Sequence, residues 1–203
     1  LDEFASVVSH DLRNPLNVAQ GHLELARADT ENEHLDTVRD AHDRMGRLID
    51  DLLTLARQGE TISETDPIDL GELAGACREN LATGEATLSV RIDRTIAADR
   101  DRLRQLFENL LRNSVEHAGP DVTITIGELD DGGGFYVADD GPGIAADECE
   151  RVFEMGDTTS ESGTGVGLRI VKQVAEAHGW DVRVTEGADG GARFEFSGVE
   201  FAE

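Results

Sequence analysis

Several stretches of this sequence combine residue types and spacings that suit chemistry. Near the start, His10 and Asp11 are followed by Asn14 and Pro15. An imidazole beside a carboxylate can act as a nucleophile through one ring nitrogen while the acid holds the other. Asn14 lies four residues after His10 and shares its helix face. Pro15 cannot donate to the carbonyl of Asp11, so the helix is loosened just there. This group suits a nucleophile that is charged and later discharged. Further on, Asn109, Asn113 and His117 fall four apart. Amide oxygens at that spacing, beside a bulky apolar face, are candidate ligands for a hard cation such as Mg²⁺. Asp139 precedes Gly141 and Gly143. The glycines let backbone approach a flat ligand, and the carboxylate can accept from an exocyclic amine such as that of adenine. Finally, Gly163-Thr164-Gly165-Val166-Gly167-Leu168 opens a helical run. Free amides at a helix start are a ready site for phosphates. No Gly-Lys-Ser/Thr follows, so this is not a P-loop. The polar stretch from Glu154 to Ser162 has the makings of a lid.

Taken singly, each stretch also has an ordinary reading: a solvated surface histidine, a solvated asparagine stripe, a simple Asp-Gly turn. Their order along one chain is what matters, together with the elements that hold them.

His10 belongs to a helical pattern over about residues 2–28. Phe4, Val8, Leu12 and Leu16 recur every four residues and draw one apolar stripe, with His10 off it. A polar turn at 29–32 leads to a second helix ending near Arg57. There Val38, Ala41, Met45, Leu48, Leu52 and Leu55 alternate spacings of three and four, as a coiled-coil seam does. Two helices with one stripe each bury it best as a dimer, two antiparallel hairpins forming a four-helix bundle. Residues 59–66 lack apolar periodicity and read as a linker between a 1–58 hairpin and a 67–203 domain. In that domain, strands are expected at 67–70, 87–92, 122–129, 134–138, 182–185 and 192–196. Helices are expected at about 70–83, 99–118 and 166–178, the last ended by Gly179. The core face of the 99–118 helix is Leu103, Leu106, Phe107, Leu110, Leu111 and Val115. The class is α+β, with helices on one face of a mixed sheet.

Composition narrows the partners. The net charge is −25, from 43 acidic and 18 basic residues, and Lys172 is the single lysine. Such a surface repels nucleic acid and anionic membrane, so neither is expected as a partner. It also fits a protein working at high salt, where screening tames self-repulsion. Cys77 and Cys149 have no metal spacing and read as inert thiols of a reducing compartment. No apolar run approaches the roughly 18 residues of a membrane span. The chain starts at Leu1 inside a helical pattern, so a fragment is expected, with any sensory or membrane segment outside it and these residues in the cytoplasm.

The stretch Ser9-His10-Asp11-Leu12-Arg13-Asn14-Pro15 resembles the H-box of sensor histidine kinases. Asn109-Leu-Leu-Arg-Asn113, Asp139-Asp-Gly141-Pro-Gly143, Val152-Phe153-Glu154 and Gly163-Thr164-Gly165-Val-Gly167-Leu168 resemble, in order, the N, G1, F and G2 boxes of their ATP-binding domain. The resemblance covers nearly the whole chain. It implies an α/β two-layer sandwich of the Bergerat type behind the hairpin, with ATP and Mg²⁺ as cofactors. It implies that Asn113 binds Mg²⁺, that Asn109 supports the phosphates and that Asp139 bonds the adenine amine. Gly165 and Gly167 would hold phosphates, and His117 would stack on adenine. It further implies phosphoryl transfer from ATP to His10, and then to an aspartate on a response-regulator receiver. Asn14 would orient a water that dephosphorylates that regulator. The chain departs from the family where a Lys is common, which here is Glu116, and its short lid has no basic residue; Arg112 is the nearest candidate to stand in. Rival readings are a nucleotide-binding module without transfer and a Bergerat-type ATPase.

Overall fold

The computed structural model describes residues 16–26, 33–56, 62, 64–79, 86–149, 151–153 and 166–202. The chain divides into two compact units, Leu1–Gln58 and Gly59–Glu203.

In the first unit, residues 16–26 are helical (α1) and a second helix, α2, spans Glu33–Ala56. Leu16 and Leu23, seven apart, are buried on α1. The Leu16 side chain lies 3.6 Å from where a Cβ on Gly46 of α2 would stand, so the two helices pack against each other there. Four further apolar residues of the two helices are exposed. Val18 and Leu25 of α1 are 62% and 67% exposed, and Val38 and Met45 of α2 are 41% and 44% exposed. Phe4, Val8 and Leu12 lie outside the described residues.

The second unit is built on β1 (Asp66–Asp69), α3 (Leu70–Glu79), β2 (Thr87–Arg91), β3 (Thr95–Ala98), α4 (Arg100–Ala118), β4 (Thr123–Glu128), β5 (Gly134–Asp139), α5 (Gly167–Ala177), β6 (Asp181–Glu186) and β7 (Ala192–Ser197). Five strands form one mixed sheet in the order β2-β4-β5-β7-β6. Only the β2–β4 pair is parallel; β4–β5 and β6–β7 are antiparallel hairpins. Alternation along the strands buries Ile124, Ile126, Phe135, Val137, Phe194 and Phe196 on one face. Phe135 stacks on Phe196 at 4.7 Å and meets Phe107 of α4 at 6.2 Å, so this is the helix-covered face. The α/β two-layer sandwich is as expected.

The sequence reading missed β3. It pairs antiparallel with β1 to make a separate two-stranded sheet. Thr95-Ile-Ala-Ala98 is only four residues long, too short for an alternating pattern to announce itself. Its strand form comes from partners far off in the chain: Ala97 N–H donates to Glu200 O (2.9 Å) and Ala202 N–H to Thr95 O (2.8 Å).

α4 begins at Asp99, whose Oδ1 accepts from the N–H groups of Asp101 and Arg102 at 3.0 Å. An aspartate cap of this kind contributes about 1 kcal/mol. Burial contributes more: Leu103, Leu106, Phe107, Leu110 and Leu111 are all inside, at about 1.5–3 kcal/mol each. Val115, expected in that face, is only half-buried; Ser114 is buried in its stead. α5 packs along α4, and its Ile170, Val171 and Val174 are buried.

The C-terminal end of α5 is tied to the start of α4 by His178. Its Nε2 accepts the Asp99 N–H at 3.0 Å, so Nδ1 carries the proton and donates to Val174 O at 2.8 Å. The ring stacks on buried Trp180 at 4.2 Å, and Gly179, at φ +76°, turns the chain out of the helix. Burial pushes the His178 pKa below its ordinary 6.5, because the charged ring would lose its hydration. The unfolded chain therefore takes up the proton first. The stability contributed by neutral His178 is complete above the unfolded value and falls as pH drops below about 6.5. Thermal unfolding from pH 8 to pH 5.5 is expected to show this decline. It should flatten in His178→Phe, which can still stack on Trp180 but does not titrate.

Candidate nucleotide site

The site is laid out along α4. Asn109, Asn113 and His117 share one face of this helix, and their exposure rises in that order: buried, half-buried, exposed. Three contacts tie the face to other elements. At the Asn109 end, Gly167 opens α5 so close that a Cβ there would stand 2.9 Å from Asn109 Oδ1. One turn on, Ser114 Oγ lies 3.2 Å from Asp139 Oδ2, at the end of β5. At the last turn, a Cβ on Gly141 would stand 2.4 Å from Ala118 Cβ. From Asn109 to Ala118 the helix rises roughly 14 Å at 1.5 Å per residue.

Asp139 is the anchored acid of this face. Its Oδ1 accepts from Gly141 N–H (3.0 Å) and Ala192 N–H (3.1 Å), and its Oδ2 meets the Ser114 hydroxyl. A carboxylate has about four lone-pair sites; the two backbone N–H groups fix its plane, the Ser114 hydroxyl is shared with Leu110 O at 3.2 Å, and acceptor capacity is left for a ligand amine. Neighbouring turns close in around it. Gly143, at φ +75°, takes a left-handed conformation, and a Cβ there would stand 2.8 Å from Gly190 O. On Gly191 a Cβ would fall 2.0 Å from Asp139 O. The side chain of Asp140 points the other way, accepting from Thr123 N–H at 2.8 Å.

Gly141→Ala is expected to cost about 1–3 kcal/mol, because the new methyl group drives Ala118 and the Asp139 carboxylate apart. Denaturant unfolding measures it. A change within a few tenths of a kcal/mol would mean that this approach does not hold the site together.

α5 offers the opposite end. Its N-cap position, Val166, supplies no side-chain hydrogen bond, and its first turn holds no acid. Helix-start amides without a capping oxygen favour an anion. Asn109 is committed within the protein. Its Nδ2 donates to Gln105 O (2.9 Å) and its Oδ1 accepts from Arg112 Nη2 (2.5 Å). Asn113 has no hydrogen-bond partner among the described residues. Its amide oxygen remains available to a cation. Among the described residues there is no cluster of His, Cys, Asp and Glu that would cage a metal. The arrangement thus fits a purine at the Asp139 end and phosphates with Mg²⁺ at the α5 end.

The structure brings Asn109, Asn113, His117, Asp139, Gly141, Gly143, Gly167 and Leu168 into one unit. His10, Asp11, Asn14, Gly163, Thr164, Gly165 and the lid stretch lie outside the described residues. Phe153 just before that stretch is buried, edge-on to Phe194 at 6.5 Å. Sequence reasoning missed Ser114 and the Ala192 amide. Ser114 had left a signal, a hydroxyl on the apolar face of an amphipathic helix. A backbone N–H of a distant strand leaves none.

Residues 98–201 match the family described as histidine kinase-, DNA gyrase B- and HSP90-like ATPase, and residues 1–61 match the His Kinase A (phospho-acceptor) domain. The chain belongs to the histidine kinase family. It is 33% identical over 195 residues to the signal transduction histidine-protein kinase BaeS of Escherichia coli (strain K12), covering 87% of this chain and 42% of that protein. To the sensor histidine kinase ZraS of Klebsiella oxytoca it is 31% identical, over 97% of this chain and 45% of that protein. The crystal structure of full-length ShkA in complex with AMPPNP matches all of this chain and 47% of that one, with 32% identity and a TM-score of 0.74. The chain thus spans less than half the length of these kinases. Among the described residues, no helix of this histidine kinase core is long and apolar enough to cross a membrane.

Proposed function

We propose that this chain is the ATP-dependent protein-histidine kinase core of a two-component sensor. Residues 1–58 serve as the dimerisation and phosphotransfer hairpin, 59–66 as linker and 67–203 as the catalytic domain. The observation that carries the reading is the Asp139 carboxylate, fixed by the Gly141 and Ala192 amides and facing Ser114 of α4, the same helix whose Asn109 meets the acid-free start of α5. Behind it stands the match of residues 1–61 to a phospho-acceptor domain.

In this reading Asp139 accepts from the adenine amine, His117 stacks on the purine, and Gly141 and Gly143 admit the ring. Gly163, Thr164, Gly165, Gly167 and Leu168 direct amides at the phosphates. Asn113 holds Mg²⁺, which supplies neutralisation of phosphate charge. His10 attacks the γ-phosphorus in line: a nitrogen–phosphorus bond forms, the bond to the bridging oxygen breaks, and ADP departs with that electron pair. Asp11 holds the proton on the other ring nitrogen. The phosphoryl group then passes to an aspartate of a receiver domain. Asn14 orients a water for the reverse signal, so Asn14→Ala is expected to slow dephosphorylation of the receiver at least tenfold while leaving phosphorylation of His10 intact. The exposed heptad residues Val18, Leu25, Val38 and Met45 support a homodimer through the hairpin. A core that draws on ATP works in the cytoplasm, and the charge of −25 suits high salt.

The test is incubation with γ-labelled ATP and Mg²⁺ in molar KCl. Acid-labile, base-stable label on the chain, transferable to a receiver, is the expected result. Steady phosphate release without labelled protein would make it a Bergerat-type ATPase. Nucleotide binding with neither would make it a binding module, the reading that exposed Glu116 favours.

A further inference from the structure

Arg112 sits between the two asparagines of the α4 stripe. In a chain this acidic, most arginine contacts in the second unit end on carboxylates: Arg94 on Glu128, Arg104 on Asp101, Arg183 and Arg193 on Glu195. Arg112 instead donates to the amide oxygen of Asn109. Among the described residues it pairs with no carboxylate. Asn109 is 4% exposed, and its orientation is settled by the bond from Nδ2 to Gln105 O. Only its oxygen can therefore face Arg112, and that same oxygen abuts Gly167 at the start of α5. The two ends of α5 are both tied to α4, at Gly167 by this contact and at His178 by the bond to Asp99. The guanidinium is thus held, half-buried and among the described residues without a carboxylate partner, near a helix start whose first turn holds no acid.

We propose that Arg112 is the counter-charge for the nucleotide phosphates in this chain, and that Asn109 is a positioning residue that aims it. This rests on the nucleotide reading above and deepens it. A guanidinium has five N–H donors in a rigid fork. One is used on Asn109; the others remain for phosphate oxygens, where charge-assisted bonds are strong. An aspartate or glutamate at 109 would neutralise the guanidinium and repel phosphate. An amide orients it and leaves its charge intact. Asn109 therefore acts on the phosphates through Arg112, and Asn113, whose amide is unspent, is the metal-facing member of the pair. The position where the family often places Lys carries exposed Glu116, one helical turn after Arg112.

The experiment is calorimetric titration of the whole chain with Mg-ATP and, separately, with adenosine. Native protein, Arg112→Ala, Arg112→Lys, Asn109→Ala and the Arg112→Ala/Asn109→Ala double variant are compared, each with its thermal unfolding recorded. Arg112→Ala is expected to bind Mg-ATP about ten- to a hundredfold more weakly, the worth of one charge-assisted contact, with adenosine binding unchanged. Arg112→Lys recovers part of the loss. Asn109→Ala weakens Mg-ATP when Arg112 is present and adds less than about twofold when it is absent, since a positioning residue has nothing left to position. Unchanged Mg-ATP affinity in Arg112→Ala, or an equal fall for adenosine, overturns the role of Arg112 while leaving the nucleotide site standing. Additive losses in the double variant return Asn109 to direct contact with the ligand. If the native chain binds no Mg-ATP, the nucleotide reading itself fails. Should Asn109→Ala unfold, Asn109→Ser, which keeps a small polar side chain at the position, replaces it in the cycle.

Discussion

His10→Gln is expected to take up no acid-labile phosphoryl label from γ-labelled ATP, a loss of at least a hundredfold, while binding Mg-ATP within about twofold of the native chain. Glutamine fills similar space and keeps polar atoms, but its amide nitrogen has no free lone pair to attack phosphorus. The change therefore removes the nucleophile and little else. Nucleotide affinity is spared because the proposed purine and phosphate anchors, Asp139 and the start of α5, belong to the other compact unit. His22 lies exposed on α1 between Gly21 and Leu23 and serves as an internal control, since solvent access alone does not make a phosphoacceptor. A neighbouring carboxylate, which His10 has in Asp11, holds one ring nitrogen protonated and leaves the other nucleophilic. Label that persists on His10→Gln would place the acceptor at another residue and overturn the assignment. Label lost together with nucleotide binding would mean that the substitution had disturbed more than the nucleophile.

The second large effect is expected from Asp139→Asn. The native carboxylate accepts from two backbone N–H groups through Oδ1 and faces the Ser114 hydroxyl through Oδ2. An asparagine can keep the first two contacts with its oxygen. Its NH₂ then replaces Oδ2, and the Ser114 hydroxyl can rotate to accept from it. The fold should survive with a loss of about 1–2 kcal/mol, the difference between charged and neutral hydrogen bonds. The nucleotide has no such remedy: a ligand amine now meets a donor where it met an acceptor. A donor left unsatisfied in a closed site costs about 1–3 kcal/mol, and losing the charge adds to that. ATP and adenosine affinity should therefore fall together, by about thirty- to a few hundredfold. That shared fall separates Asp139 from Arg112, whose substitution is expected to spare adenosine. Nucleotide affinity within threefold of native in a folded Asp139→Asn protein would remove Asp139 from the purine contact.

Local periodicity was legible from the sequence: α2, α4 and α5, the β4–β5 and β6–β7 hairpins, and the polar stripe of Asn109, Asn113 and His117. All these follow from chain neighbours, through the 3.6 and 2.0 repeats of helix and strand. So does the close of α5 at His178 and Gly179, where one turn of chain contains every partner but Asp99. The family, too, was readable, because its boxes are short local strings kept in order. What makes the strings a site was not. Asp139 is held by Ser114, 25 residues before it, and by the Ala192 amide, 53 residues after it. The strand at Thr95–Ala98 exists through Asp66–Asp69 and the chain end. Gly141 and Gly191 must be glycines because of Ala118 and Asp139, at distances where a Cβ has no room. Arg112 could be named a candidate from its position, but its aim depends on an amide whose orientation is set by a carbonyl one turn back. Side-chain pattern encodes which face of an element is buried. Which backbone amide or carbonyl lies opposite a given side chain is encoded in no local pattern, because every residue type but proline carries the same two groups. That information arises when the elements pack.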